Sequence, residues 1–186
     1  MAFWKGLGVG ILGAIIVVAI GSILMVGSGA AAGTSLTMLI MFAVFAAFDV
    51  GFAYYGAEEG FGRASQIFFF IFIGIMFMFS VVSISVGTEE LGSNPTNVQI
   101  AITRTPLIAT GLTLVIWYLM LGNGACGSVW VAGAVPLGSA IVGFLIALIF
   151  TAISPIASLI AAIVVGAGSI VATILMRIFL GSLLDV

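Results

Sequence analysis

Runs of about 20 apolar residues follow one another along this chain with almost no charge inside them. That pattern dictates the solvent before any other residue is considered. A helix rises about 1.5 Å per residue, so about 20 residues cross the roughly 30 Å hydrocarbon core of a bilayer. Measured against that length, the chain divides into six segments, at about 7–26, 35–55, 65–86, 106–121, 129–153 and 155–180. In lipid every backbone polar group needs an internal partner, which leaves helices or a closed barrel. Barrel strands alternate polar and apolar residues, and these runs do not. The expectation is therefore an all-α, polytopic integral membrane protein. Its six transmembrane helices form one bundle and one domain over 1–186, with no sizeable soluble part. Composition agrees: 63% of residues are hydrophobic and 5% charged, where a soluble domain carries about 25% charged residues.

Local signals refine the boundaries. Lys5, an apolar run and the small-residue segment 27–33 resemble a secretory leader. The run from Leu7 to Val26 exceeds the 7–15 residues usual for such a leader, and is read as a retained first span. Thr34 and Ser35 are placed to cap the second helix, Thr105 to precede Pro106, and Ser154 to precede Pro155. A hydroxyl at the N-cap accepts an orphan N–H, and proline at the first helical position has none to satisfy. The Gly122-Asn-Gly124 segment is a stop signal for the fourth helix. Pro136 falls inside the fifth, so that helix is kinked there or residues 125–136 are interfacial or re-entrant.

With both termini cytoplasmic, Lys5, Arg63 and Arg177 lie inside, and only Arg104 lies outside, in a long external loop at about 87–105. This arrangement satisfies the positive-inside tendency. Asn94-Pro95-Thr96 in that loop is no glycosylation sequon, because proline follows the asparagine.

Charge concentrates between Phe48 and Arg63, which hold Asp49, Glu58, Glu59 and Arg63. Asp49 is the acidic residue placed within a span, and an intramembrane carboxylate is expensive enough to suggest function. Arg63, across a short turn, is its expected partner in an ion pair or ion site. The alternative is that the second helix ends near Gly51 and Asp49 reaches the interface. Glu58 and Glu59 lie in a Gly-rich turn and are read as solvated.

Small residues recur every fourth position: Gly6, Gly10 and Ala14; Ala43, Ala47 and Gly51; Ser154, Ser158, Ala162 and Gly166. Such rows let helix backbones approach closely, within one bundle or between chains. Opposite the second row lie Phe45, Phe48 and Phe52. All tryptophans and tyrosines, Trp4, Tyr54, Tyr55, Trp117, Tyr118 and Trp130, fall near the inner face. There they are candidate interface anchors, although aromatic belts usually mark both faces. One-sided anchors suggest outer helix ends that meet a protein neighbour.

Several function classes are excluded by what is missing. Four basic residues cannot form the stripe that nucleic-acid binding needs. No histidine and a single Cys126 leave no ordinary metal or haem ligand set and no internal disulfide, so no cofactor is expected. A serine nucleophile would lack its base, so catalysis is not expected. What remains is a structural or accessory subunit, packing by its small-residue rows against lipid and other membrane chains in an energy-transducing complex or a virion membrane. The competing class is a small channel or secondary transporter with Asp49 as its ionisable element.

Overall fold

Each apolar run becomes a membrane-length helix. The computed structural model describes residues 1–29, 33–60, 62–91, 93–122 and 127–180. The helices are α1 (Ala2–Gly27), α2 (Thr34–Glu59), α3 (Arg63–Glu90), α4 (Asn97–Gly122) and α5 (Val129–Ile153). The sixth span is continuous but changes pitch. It opens as α6 (Pro155–Ala161), widens to a π-helix over Ala162–Ala167, and closes as α7 (Gly168–Leu180). All six spans are long and apolar enough to cross a membrane. The molecule is an all-α bundle without a strand among the described residues.

The small-residue rows set the order of packing, and they are used within the chain. α1 lies on α2 so closely that a Cβ on Gly10 would sit 2.7 Å from the Ala47 Cα and carbonyl oxygen. The opposite side of α2 is aromatic. Phe45, Phe48 and Phe52 stack on Phe68, Phe72 and Phe79 of α3, with ring centroids 5.3–5.8 Å apart. The sixth span approaches α4 through its π turn, where a Cβ on Gly166 would meet the Leu107 carbonyl at 2.6 Å. Ser158 and Ala162 of that row are fully buried. α4 touches every other span and is the most buried of the six, while α1 bridges α2 and α5.

α4 also departs most from expectation. It starts at Asn97 rather than near Pro106, so the loop expected at about 87–105 contracts to the residues between Glu90 and Asn97. The cause is a reciprocal cap. The Thr96 N–H donates to Gln99 Oε1 at 2.9 Å, and the Gln99 N–H donates to Thr96 Oγ1 at 3.3 Å. This is a capping box. Pro106 accordingly lies inside the helix, and the Thr105 hydroxyl turns back to the Ala101 carbonyl rather than capping a helix start.

Elsewhere, α2 is preceded by Gly33 at its N-cap without a side-chain cap. Ser154 does cap α6, its Oγ accepting the Ala157 N–H at 3.0 Å. Residues 129–136 are helical, and Pro136 is buried within α5, which removes the re-entrant reading for them. Asn123, Gly124, Ala125 and Cys126 lie outside the described residues, as do the side chains of Arg63 and Arg177.

A candidate functional site on the central helix

The polar residues of the chain converge on α4. At one end, Gln99 Nε2 donates to the Ser28 carbonyl at 3.1 Å and so ties the start of α4 to the end of α1. Arg104, expected in a loop, is instead a buried helical residue, with its Nη1 donating to the Ile84 carbonyl at 3.4 Å. One residue away on both helices, the Ser83 hydroxyl donates to the Thr103 carbonyl at 3.1 Å. Further along, Ser80 Oγ and Thr110 Oγ1 lie 3.2 Å apart; one hydroxyl donates to the other, and the accepting one donates back to its own helix, Ser80 to the Met76 carbonyl or Thr110 to the Pro106 carbonyl. α3 and α4 are thus held together by hydroxyls at two levels, Ser83–Thr103 and Ser80–Thr110. Such bonds average about 0.6 kcal/mol in membrane bundles, so they fix register more than they add stability.

Beyond this ladder the partners run out. Asp49 is completely buried, and neither of its carboxyl oxygens has a hydrogen-bond partner among the described residues. The hydroxyls of Thr113 and Tyr118 are buried and partnerless too. α2 continues ten residues past Asp49 to Glu59. That places Asp49 about 15 Å from the nearer helix end, which removes the alternative of a helix that stops at Gly51.

Ring pairs fix the level of Asp49 in the bundle. Phe48–Phe72 and Phe52–Phe68 set it about a third of the way along α3. The Ser80–Thr110 and Phe69–Trp117 contacts bracket the same level on α4, at Thr113 to Trp117. Arg63 opens α3 nine residues before Phe72, about 13 Å along the helix axis. The pairing with Arg63 that the sequence suggested is not part of the described contacts. Glu58 and Glu59 are exposed, and Glu59 Oε1 lies 3.7 Å from the Met1 amino group.

The aromatic residues separate into two groups. Trp4 and Trp130 are exposed at 72% and 67% and suit an interface. Trp117, Tyr118 and Tyr54 are buried, so they are interior groups rather than the lipid-facing anchors their positions suggested. Trp117 packs against Phe69 at a tilt of 57°, with its Nε1 donating to the Ala132 carbonyl at 3.3 Å. The choice of acceptor follows from proline chemistry. Pro136 has no N–H to offer the carbonyl four residues earlier, and that carbonyl belongs to Ala132.

Two irregular backbones flank this region. Pro106 interrupts the hydrogen-bond ladder of α4, and the π turn of the sixth span packs directly against Leu107 and Gly111. π turns occur often at functional sites. No group of three or more metal-ligating side chains is present among the described residues. The sequence signal that would have located the buried arginine was the Thr96-x-x-Gln99 box, since a helix starting at Asn97 carries Arg104 two turns inward. Comparison with protein-family models, curated proteins and solved structures finds no match to this chain.

Proposed function

We propose that this protein is a small membrane channel or secondary transporter in which Asp49 binds and releases a proton. One observation carries the reading: a carboxyl side chain fully buried well inside a spanning helix, with no partner for either oxygen among the described residues. Uncompensated burial of that kind costs several kcal/mol and is retained where ionisable chemistry is used. The buried Thr113 hydroxyl of α4, which also has no partner among the described residues, adds a second unspent polar group to the interior. The proline break in α4 and the π turn beside it supply backbone able to adjust as the charge changes. In this reading the chain has no catalytic chemistry and no cofactor.

The test is proton flux in proteoliposomes under an imposed potential, followed with an internal pH dye. The wild type should dissipate the gradient, and Asp49→Asn should lower the rate at least about tenfold while the helical content stays the same. Equal rates for both would end the proposal.

A second reading, an accessory subunit of a larger membrane assembly, draws on the broad apolar faces of α1 and the sixth span, where Ile11, Ile15, Ile163 and Val164 are exposed. The small-residue rows no longer support it, because they are occupied within the chain. Gentle detergent extraction followed by native mass spectrometry separates the two readings: a defined complex with other chains favours the subunit, a monomer or homo-oligomer the transporter. The orientation with both termini cytoplasmic is proposed on the same basis as before. It is simpler now, since Arg104 leaves the loop count and Lys5, Arg63 and Arg177 share one side.

A further inference from the structure

A cleft of about 300 Å³ lies between α1 and α5, in the half of the bundle that holds the α1–α2 turn. Its floor is Leu39 of α2 and Ala140 of α5, both buried. Its rim residues Ile20, Ile141 and Leu145 are 46–49% exposed, and at this depth of the span the medium they face is hydrocarbon. Thr105 is the one wall residue with a polar side chain, and its hydroxyl is already spent on the Ala101 carbonyl at 2.8 Å. The cleft therefore offers no hydrogen bond and no charge. Its occupant must be hydrocarbon.

The dimensions select which hydrocarbon. Along α1 the cleft runs from Val17 to Leu24, about 10 Å at 1.5 Å per residue. Its mean cross-section is then about 30 Å², room for a single polymethylene chain about 4 Å wide at carbon contact distance.

We propose that this cleft is a binding site for one acyl chain of a bilayer lipid, entering sideways between α1 and α5. The proposal is independent of the role of Asp49, which lies ten residues along α2 from Leu39 and does not line the cleft. An ordered chain at this position props α1 against α5 and covers Leu39, Ile102 and Ala140, which a retracted lipid would leave facing a void.

The experiment uses the full chain in proteoliposomes doped with a phosphatidylcholine that carries a diazirine in its acyl chain, with adducts mapped by peptide mass spectrometry. Adducts are expected on Val17–Leu24 and Leu137–Leu145 at about tenfold the level found on the more exposed face Ile156–Val164. Ala140→Phe and Val17→Phe, which fill the cleft from opposite walls, should each return that labelling to the level of the other faces. As a readout without substitution, native mass spectrometry of the wild-type protein after detergent exchange should show one retained lipid per chain. Even labelling of all lipid-facing helices, or a protein that sheds every lipid, would overturn the assignment. Adducts linking two chains across Leu137 and Ile141 would also overturn it, giving the cleft to a second copy.

Discussion

Replacing Trp117 with phenylalanine asks whether the indole N–H exists in this bundle to serve the carbonyl that Pro136 strands. The bond is 3.3 Å long, at the weak end of the accepted range. Hydrogen bonds in membrane bundles average about 0.6 kcal/mol and reach about 1.7, whereas a buried acceptor left unmade costs about 1–3 kcal/mol. A coupling of about 1 kcal/mol is therefore expected for the Trp117–Ala132 bond, within bounds of about 0.5 to 1.5. The single variant should lose more, about 2–4 kcal/mol, because the smaller ring also leaves a void beside Phe69. A double-mutant cycle separates the two effects. Pro136→Ala returns an N–H to α5, and the Ala132 carbonyl is then satisfied within its own helix. In that background Trp117→Phe should cost about 1 kcal/mol less, a difference of about fivefold in the unfolding constant. The assay is reversible denaturation in mixed micelles with circular dichroism as the signal, because fluorescence would report the lost tryptophan itself. If the coupling falls below about 0.3 kcal/mol, the indole is merely packed there, and the proline argument fails.

Other substitutions follow the same logic. Gly166→Leu should destabilise the folded monomer by more than the roughly 1–3 kcal/mol usual for overpacking, since even a Cβ meets the Leu107 backbone. Denaturation at two protein concentrations would show a loss that does not depend on oligomerisation. Thr96→Ala should cost about 1 kcal/mol through the capping box, with the added hydrogen exchange confined to the first turn of α4. Asp49→Leu should leave stability unchanged or raise it by about 1–3 kcal/mol, because a partnerless buried polar group is removed. A marked loss of stability would mean that the carboxyl is a structural element after all.

The number and type of the helices could be read from the chain because one quantity, the length of uncharged sequence, decides them. Val129–Ile153 and the span from Pro155 follow directly from it. The fourth helix was mislocated because apolar length is the wrong measure for a helix whose neighbours are other helices. Gln99, Thr103 and Arg104 look like loop residues until α4 is known to be surrounded, after which their polarity is satisfied by Ser28, Ser83 and Ile84. Asp49 stood out in the sequence, but its depth depended on where α2 ends, and Gly51 was a misleading stop. That glycine is there to admit Phe3, whose ring would lie 2.7 Å from a Cβ at that position. The aromatic residues misled for a related reason. Position along a helix was legible, but the direction a side chain faces was not, and Trp117 and Trp130 at similar depth lie on opposite sides of the protein surface.

The burial of α4 has a consequence for how the chain enters the membrane during synthesis. Alone in lipid, this helix would expose an arginine, whose insertion costs about 2.5–3.5 kcal/mol at the bilayer centre, together with a row of threonines. Its companions are more apolar. Because α1 and α3 precede it in the chain, α3 is already in place to receive Arg104 and Thr103, and α1 to receive Gln99. The order of translation thus provides this helix with a protein environment before it has to meet the lipid.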